Sequence, residues 1–319
     1  MNLRYVLSAV VPVLLVGASW AQCSVTGINS PNGTNTGATS CLCETTGQTN
    51  CELRPDVMIA WKALQSYASG PSEYAQVCSG GCSGNDGRLR VTGATPNIGH
   101  GPLNFRGVDK DGLRWYICGT DTFSVSDPNS TATLACPNSG ITKQLVVQRI
   151  YKKAGNSMQF TERFAGTMTY HPSHGHNHVD DWVTFTLRLE IASEPDPRNW
   201  PIVGSGAKVG FCLMDYYSCT NTTSAPGHCR NNHLYNQGTM LNTQGQFANF
   251  GLGGQAYNCS PISQGISAGW EDVYSESLDG MWITIPPGPC NGNHWTVAEV
   301  DPLDNFLEEK ENNNWTAIP

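Results

Sequence analysis

The chain has 319 residues, with 18 Lys or Arg against 26 Asp or Glu and a formal net charge of −8. So few cations exclude binding driven by nucleic-acid phosphates, and the acidity predicts at most a mild attraction for cationic partners, amines among them. Thirteen cysteines predict an oxidising compartment in which most are paired; the odd count leaves one thiol over, or paired between chains.

In chain order, the first 21 residues predict a cleaved secretory signal. Arg4 supplies the positive start, residues 5–17 the short apolar run, and Ser19-Trp20-Ala21 the small-x-small cleavage site. That run is too short to span a bilayer, and no later stretch approaches the ~20 apolar residues a span needs. The mature chain is therefore expected to be secreted or extracytoplasmic, without a membrane span. Residues 22–50 are rich in Ser, Thr and Gly and carry Cys23, Cys41 and Cys43, which predicts a leader that is flexible or stapled by disulfides.

Residues 56–68 (DVMIAWKALQSYA) have helical spacing, with Val57, Ala60, Trp61, Leu64 and Tyr67 on one face and Pro55 before the first turn. Short strands are predicted next, at 89–92, 113–118, 145–151, 182–191, 281–285 and 295–300. In 182–191, Val183, Phe185, Leu187 and Leu189 alternate with Thr184, Thr186, Arg188 and Glu190, the period of a half-buried strand. With 34 Gly and 19 Pro punctuating the intervals, the pattern predicts a mainly β fold. Residues 51–319 are expected to form a single β-sandwich-like domain with long disulfide-stapled loops and few short helices.

Four of the eight histidines lie in residues 171–178 (HPSHGHNH). In an extended segment His174, His176 and His178 project to one face, whereas a helix would turn the middle one away. Three neutral imidazoles so placed suit copper or zinc and leave further coordination positions open; copper ranks highest among divalent ions at nitrogen sites. Counted along that segment, His171 has the opposite parity, which predicts a supporting role rather than ligation.

Residues 170–182 (YHPSHGHNHVDDW) resemble the copper motif of the lysyl oxidase family. Residues 208–215 (KVGFCLMD) are similar to its K-x-S-F-C-L-x-D block, and residues 264–274 (QGISAGWEDVY) to its Q-G-[LI]-S-x-G-x-x-D-x-Y block. The blocks occur in the family's order, and the similarity extends over roughly residues 51–319. The resemblance implies a copper-dependent amine oxidase of the protein-lysine 6-oxidase type. It implies Cu(2+) held by His174, His176 and His178, and a lysine tyrosylquinone cofactor made from Lys208 and Tyr274. The implied substrates are molecular oxygen and a primary amine or peptidyl-lysine, giving an aldehyde, ammonia and hydrogen peroxide.

Without the resemblance, Lys208 reads as an exposed lysine and Tyr274 as a core aromatic. The chain also departs from the family. Ser173 stands where the animal motif has a cysteine, so Cys259, which matches that cysteine's partner, is expected to be free or re-paired with Cys229 or Cys290. Cys212 and Cys219 match a short-range pair, and a second animal pair falls on Trp270 and Gly280. The position matching a histidine proposed as base is Phe185, which makes Asp181 the substitute candidate. An insertion over 220–257 is expected to line the substrate entrance. The alternative function is a non-catalytic extracellular copper- or zinc-binding protein in which Lys208 and Tyr274 never join.

Overall fold

A computed structural model describes residues 52–66, 72–73, 87–99, 101–110, 113–126, 136, 140–154, 157–219, 251–254, 258–285 and 292–319. The expected signal and leader, and nearly all of the 220–257 insertion, lie outside the described residues.

The longest element is a hairpin of Thr142–Ala154 and Ser157–His171, joined in register from Ser157↔Ala154 to Met168↔Gln144 with a bulge between Phe164 and Thr167. It anchors a nine-stranded sheet whose main path runs His176–Val179, Ser157–His171, Thr142–Ala154, Leu103–Gly107, Ser263–Ile266. A seven-stranded sheet runs Trp315–Ile318, His294–Val300, Val183–Leu189, Ile202–Gly206, Trp282–Thr284, Arg88–Arg90, Ser72–Glu73. A small third sheet places Trp270–Tyr274 between Tyr217–Ser218 and Gly93–Pro96. Every one of these pairings is antiparallel.

One hydrophobic core joins the sheets. Phe105, Val146 and Met168 from the first pack with Val183, Phe185, Ile283, Ala298 and Val300 from the second, and Tyr274 of the third belongs to the same cluster. Trp182 stacks on Phe306 at 5.6 Å, and Phe105 meets both rings edge-on. Two inner faces closing on a shared apolar layer make this a mainly β, sandwich-like fold. No helix among the described residues is long and apolar enough to cross a membrane.

The strand expected at 113–118 is Leu113–Cys118, and that at 182–191 is the central strand Val183–Leu189. The helix is shorter than its periodicity predicts and spans only Trp61–Ser66. The preceding residues are extended because sheet partners claim their backbone. Val57 bridges Asn97, the Met58 amide donates to Pro96 O at 3.2 Å, and Ala60 donates to Ala94 O at 3.0 Å. Trp61, one of the residues on the predicted helical face, is 56% exposed.

The cysteine pairing also differs. Cys212 bonds to Cys259 with Cα atoms 5.5 Å apart, and Cys118 bonds to Cys136. Cys212 therefore does not pair with Cys219, and Cys259 is neither free nor joined to Cys229 or Cys290. Residues 217–218 pair with Trp270 and Glu271, and the Cys219 amide donates to Gly269 O. That pairing carries Cys219 into the third sheet while Cys212 stays beside the first; Cys219 is disulfide-bonded as well.

Candidate metal centre

The histidine segment is a hairpin end. Ser157–His171 pairs with His176–Val179 in the register His171↔His176, Tyr170↔Asn177, Thr169↔His178, Met168↔Val179. Residues 172–175 form the turn, in which the His174 and Gly175 amides both donate to His171 O, at 3.1 and 2.9 Å. Gly175 sits at φ 72, a left-handed conformation that favours glycine.

This turn changes the parity count. Directly opposed residues on antiparallel strands point to the same face, so His171 shares a face with His176. His178 lies on that face as well, two residues along. His174 reaches the cluster from the turn, not from the strand. His171 stacks on His174 at 4.2 Å and lies 4.9 Å from His178, ring centre to ring centre. Alternation does not run straight through the turn, so His171 falls on the same side as His176 and His178, not the opposite side its sequence parity predicts.

Three ring nitrogens converge. His178 Nε2 lies 3.0 Å from His176 Nε2 and 3.4 Å from His174 Nδ1. Nitrogens sharing one ion at 2.0–2.1 Å, with angles near 90–110°, lie roughly 2.9–3.4 Å apart. Hydrogen bonding alone accounts poorly for the convergence, since a neutral imidazole nitrogen offers either one proton or one lone pair. The donor types and these two spacings about His178 Nε2 therefore fit copper or zinc. A second grouping, His171, His174 and His178, brings one nitrogen from each within 4.8 Å. We favour the 174/176/178 set, because His174 Nδ1 and His176 Nε2 both lie at ion-sharing distance from His178 Nε2; the Ser173 hydroxyl at His171 Nδ1, 2.9 Å away, leaves that ring's Nε2 open as a further ligand. Burial, then the Lys208 charge and the neighbouring imidazoles, push His178 down to about 2, and burial is also the main cause lowering His174. Both rings are thus held neutral, the state that ligates a metal.

The strand bearing two of these histidines is fixed from three sides. Val179 and Phe211 exchange amide bonds at 2.7 and 3.0 Å. Asp180 accepts from the Thr167 and Thr169 hydroxyls and lies 3.2 Å from Lys143 Nζ. Gln264, wholly buried, donates to Asn177 O at 2.9 Å and accepts from the Leu213 amide at 3.1 Å. One side chain thereby ties the histidine strand to the segment carrying Lys208 and Cys212.

Beside the imidazoles is a cavity of about 280 Å³ lined by His174, His176, His178, Lys208, Cys212, Tyr274, Leu278 and Asp279. Tyr274 ends the Trp270–Tyr274 strand and is buried, its hydroxyl donating to Cys212 O and its ring edge-on to Phe211. Lys208 Nζ stands 6.0 Å from the centre of the Tyr274 ring and 5.2 Å from that of Phe211. Burial lowers the Lys208 pKa, while the Asp279 and Asp272 carboxylates work against that shift. Beneath the site, burial holds Asp272 well above the usual carboxylate range.

The structure thus brings five of the six predicted site residues to one cavity. Asp181 is not brought there. It occupies the turn leading into Val183–Leu189 at φ 52 and is not among the residues lining the cavity. Phe185 is core, 3% exposed. The cavity carboxylate is Asp279, which sequence reasoning passed over; its one signal was an acidic residue in the short turn just beyond Tyr274. The chain matches no protein-family model and no curated protein.

Proposed function

We propose that this protein is a secreted, copper-dependent oxidase of primary amines whose quinone cofactor forms from Lys208 and Tyr274. The observation that carries the reading is the placement of Lys208 Nζ 6.0 Å from the Tyr274 ring, in the cavity lined by the converging histidines. Sixty-six positions separate the two residues in the chain (274 minus 208).

His174, His176 and His178 would hold copper, which with dioxygen supplies the oxidation of the Tyr274 ring. The lysine tyrosylquinone that results supplies a carbonyl able to condense with a primary amine and accept two electrons. The remaining work falls to the chain. The Cys212 carbonyl fixes the Tyr274 hydroxyl, and the Phe211 ring and surrounding core keep that ring from turning freely or meeting bulk water. Lys208 is half-buried, and a lowered pKa raises its share of neutral, nucleophilic amine. The net turnover is R–CH2–NH3+ with O2 and H2O giving R–CHO, NH4+ and H2O2.

Copper-loaded, aerated protein should develop visible absorption and form a coloured adduct with phenylhydrazine, whereas Tyr274→Phe should bind copper and stay colourless. A colourless, unreactive wild type that still binds one copper would instead support the metal-binding protein without turnover.

A further inference from the structure

We propose that Asp279 is the residue that recognises the ammonium group of the substrate, and that Lys208 occupies this recognition site until its nitrogen is bonded to the Tyr274 ring. The inference rests on the amine-oxidase reading and names how that site selects its substrate.

Asp279 is the only carboxylate among the described residues that line the cavity. Lys208 already places an alkylammonium inside. Its Nζ is within range of the faces of Phe211 and Tyr274, at 5.2 and 6.0 Å, the distances at which a cation is drawn to a ring. Among the charges acting on this ammonium, Asp279 is the largest that favours it. The precursor therefore contains, in one cavity, what an enzyme for alkylamines must bind: a short apolar stem, a cationic head and a carboxylate in the same lining. Leu278 next to Asp279 adds apolar wall for such a stem.

Cross-linking changes the balance of charge. A nitrogen attached to a quinone ring shares its lone pair with the carbonyls, keeps its single N–H and is no longer protonated to a cation at neutral pH. Lys208 then ceases to be a cation, and the cavity that holds Asp279 loses its ammonium. A free alkylamine has a pKa of about 10.4 and arrives protonated. It replaces the charge that maturation removed. The same carboxylate disfavours acidic groups beside the reacting amine, so the preferred substrate is a lysine-like side chain without neighbouring Asp or Glu.

The test uses the full chain without copper, so that it does not depend on the quinone. Lys208→Ala deletes the atoms of propylammonium, and propylammonium is the probe, titrated by NMR with propanol as the neutral control. Lys208→Ala protein should bind propylammonium and not propanol, and adding Asp279→Asn should weaken that binding about fivefold or more. Asp279→Glu should restore part of it. Lys208→Ser serves as a second background should the alanine variant melt early. Equal affinity with and without Asp279→Asn, or no binding in either background, would overturn the proposal. Wild type that binds copper but forms no quinone would overturn the function above and leave this titration to be judged separately. In mature enzyme, Asp279→Asn should raise KM for alkylamines more than it lowers kcat.

Discussion

His178 Nε2 is the atom on which the centre turns, 3.0 Å from His176 Nε2 and 3.4 Å from His174 Nδ1. Removing His176 leaves two imidazoles that close on an ion from one side only. His176→Ala should therefore lower copper affinity by more than the about 10–100-fold typical of losing an outer partner. His171→Ala should lower it less, because the ion-sharing distances to His178 Nε2 are made by His174 and His176. Metal analysis after dialysis against a competing chelator reads both; a greater loss for His171→Ala would move the ligand set to His171, His174 and His178. The residue types of this site were legible in the sequence, and so was the approach of His174 and His176 to His178. The side on which His171 falls was not, because alternation restarts across a turn and the sequence does not state where the turn lies. Asp279 was hidden for a related reason. Its loop position gives no periodicity, and only the fold brings residue 279 near residue 208.

Among elements, the contact that decides the site's geometry is Gln264. Its amide spans the Asn177 carbonyl, between His176 and His178, and the Leu213 amide, next to the Cys212 whose carbonyl accepts from Tyr274. The Cys212–Cys259 bridge reinforces the same junction, since Asn177 N donates to Cys259 O at 3.3 Å. Gln264→Leu keeps comparable bulk but leaves a buried carbonyl and a buried amide without this partner. It should cost about 2–4 kcal/mol in unfolding free energy, read from a denaturant midpoint, and weaken copper binding in what still folds. A cost below about 0.5 kcal/mol would show that the junction does not depend on this side chain. Strands with clean alternation, such as Leu113–Cys118, were readable from the sequence. The 15-residue strand Ser157–His171 was not foreseen, because it turns Phe160 and Phe164 outward, 46% and 59% exposed, and Arg149 covers Phe160 at 3.7 Å. Outward aromatics blur the pattern by which a half-buried strand is recognised. The 56–68 segment erred in the opposite sense, its helical spacing overridden at 57–60 by hydrogen bonds to the Gly93–Pro96 strand.

Across the whole molecule, buried ionisable groups make stability depend on pH in two opposing ways. Burial pushes Asp301 and Asp215 up to about 6, although donors to each carboxylate, the Asn305 and Phe306 amides for Asp301 and the Ser267 amide and hydroxyl for Asp215, hold it down. Their folded pKa lies above the ordinary 3.8, so the stability they contribute is full below about 4 and lost as pH rises through about 6. His178 acts the other way: held at about 2, it favours the folded state above the ordinary 6.5, and this is lost as pH falls. A comparison with Asp301→Asn isolates the first effect. Asparagine tolerates the left-handed φ of 48 and keeps one acceptor for the two amides. The stability advantage of copper-free wild type over Asp301→Asn should shrink as pH rises from 4 to 7, by no more than about 3 kcal/mol. An advantage that stays constant would place the Asp301 pKa near its ordinary value.

In the proposed function, the β-sandwich, the histidine hairpin and the buried tyrosine act through one bond, between Lys208 and Tyr274. Peptide mass spectrometry of copper-loaded, aerated protein measures it directly. The account predicts that the peptides containing Lys208 and Tyr274 appear joined as one species, and that the join is absent from Tyr274→Phe and from protein kept free of copper. Wild type that turns over amines while Lys208 and Tyr274 remain in separate, unmodified peptides would contradict it.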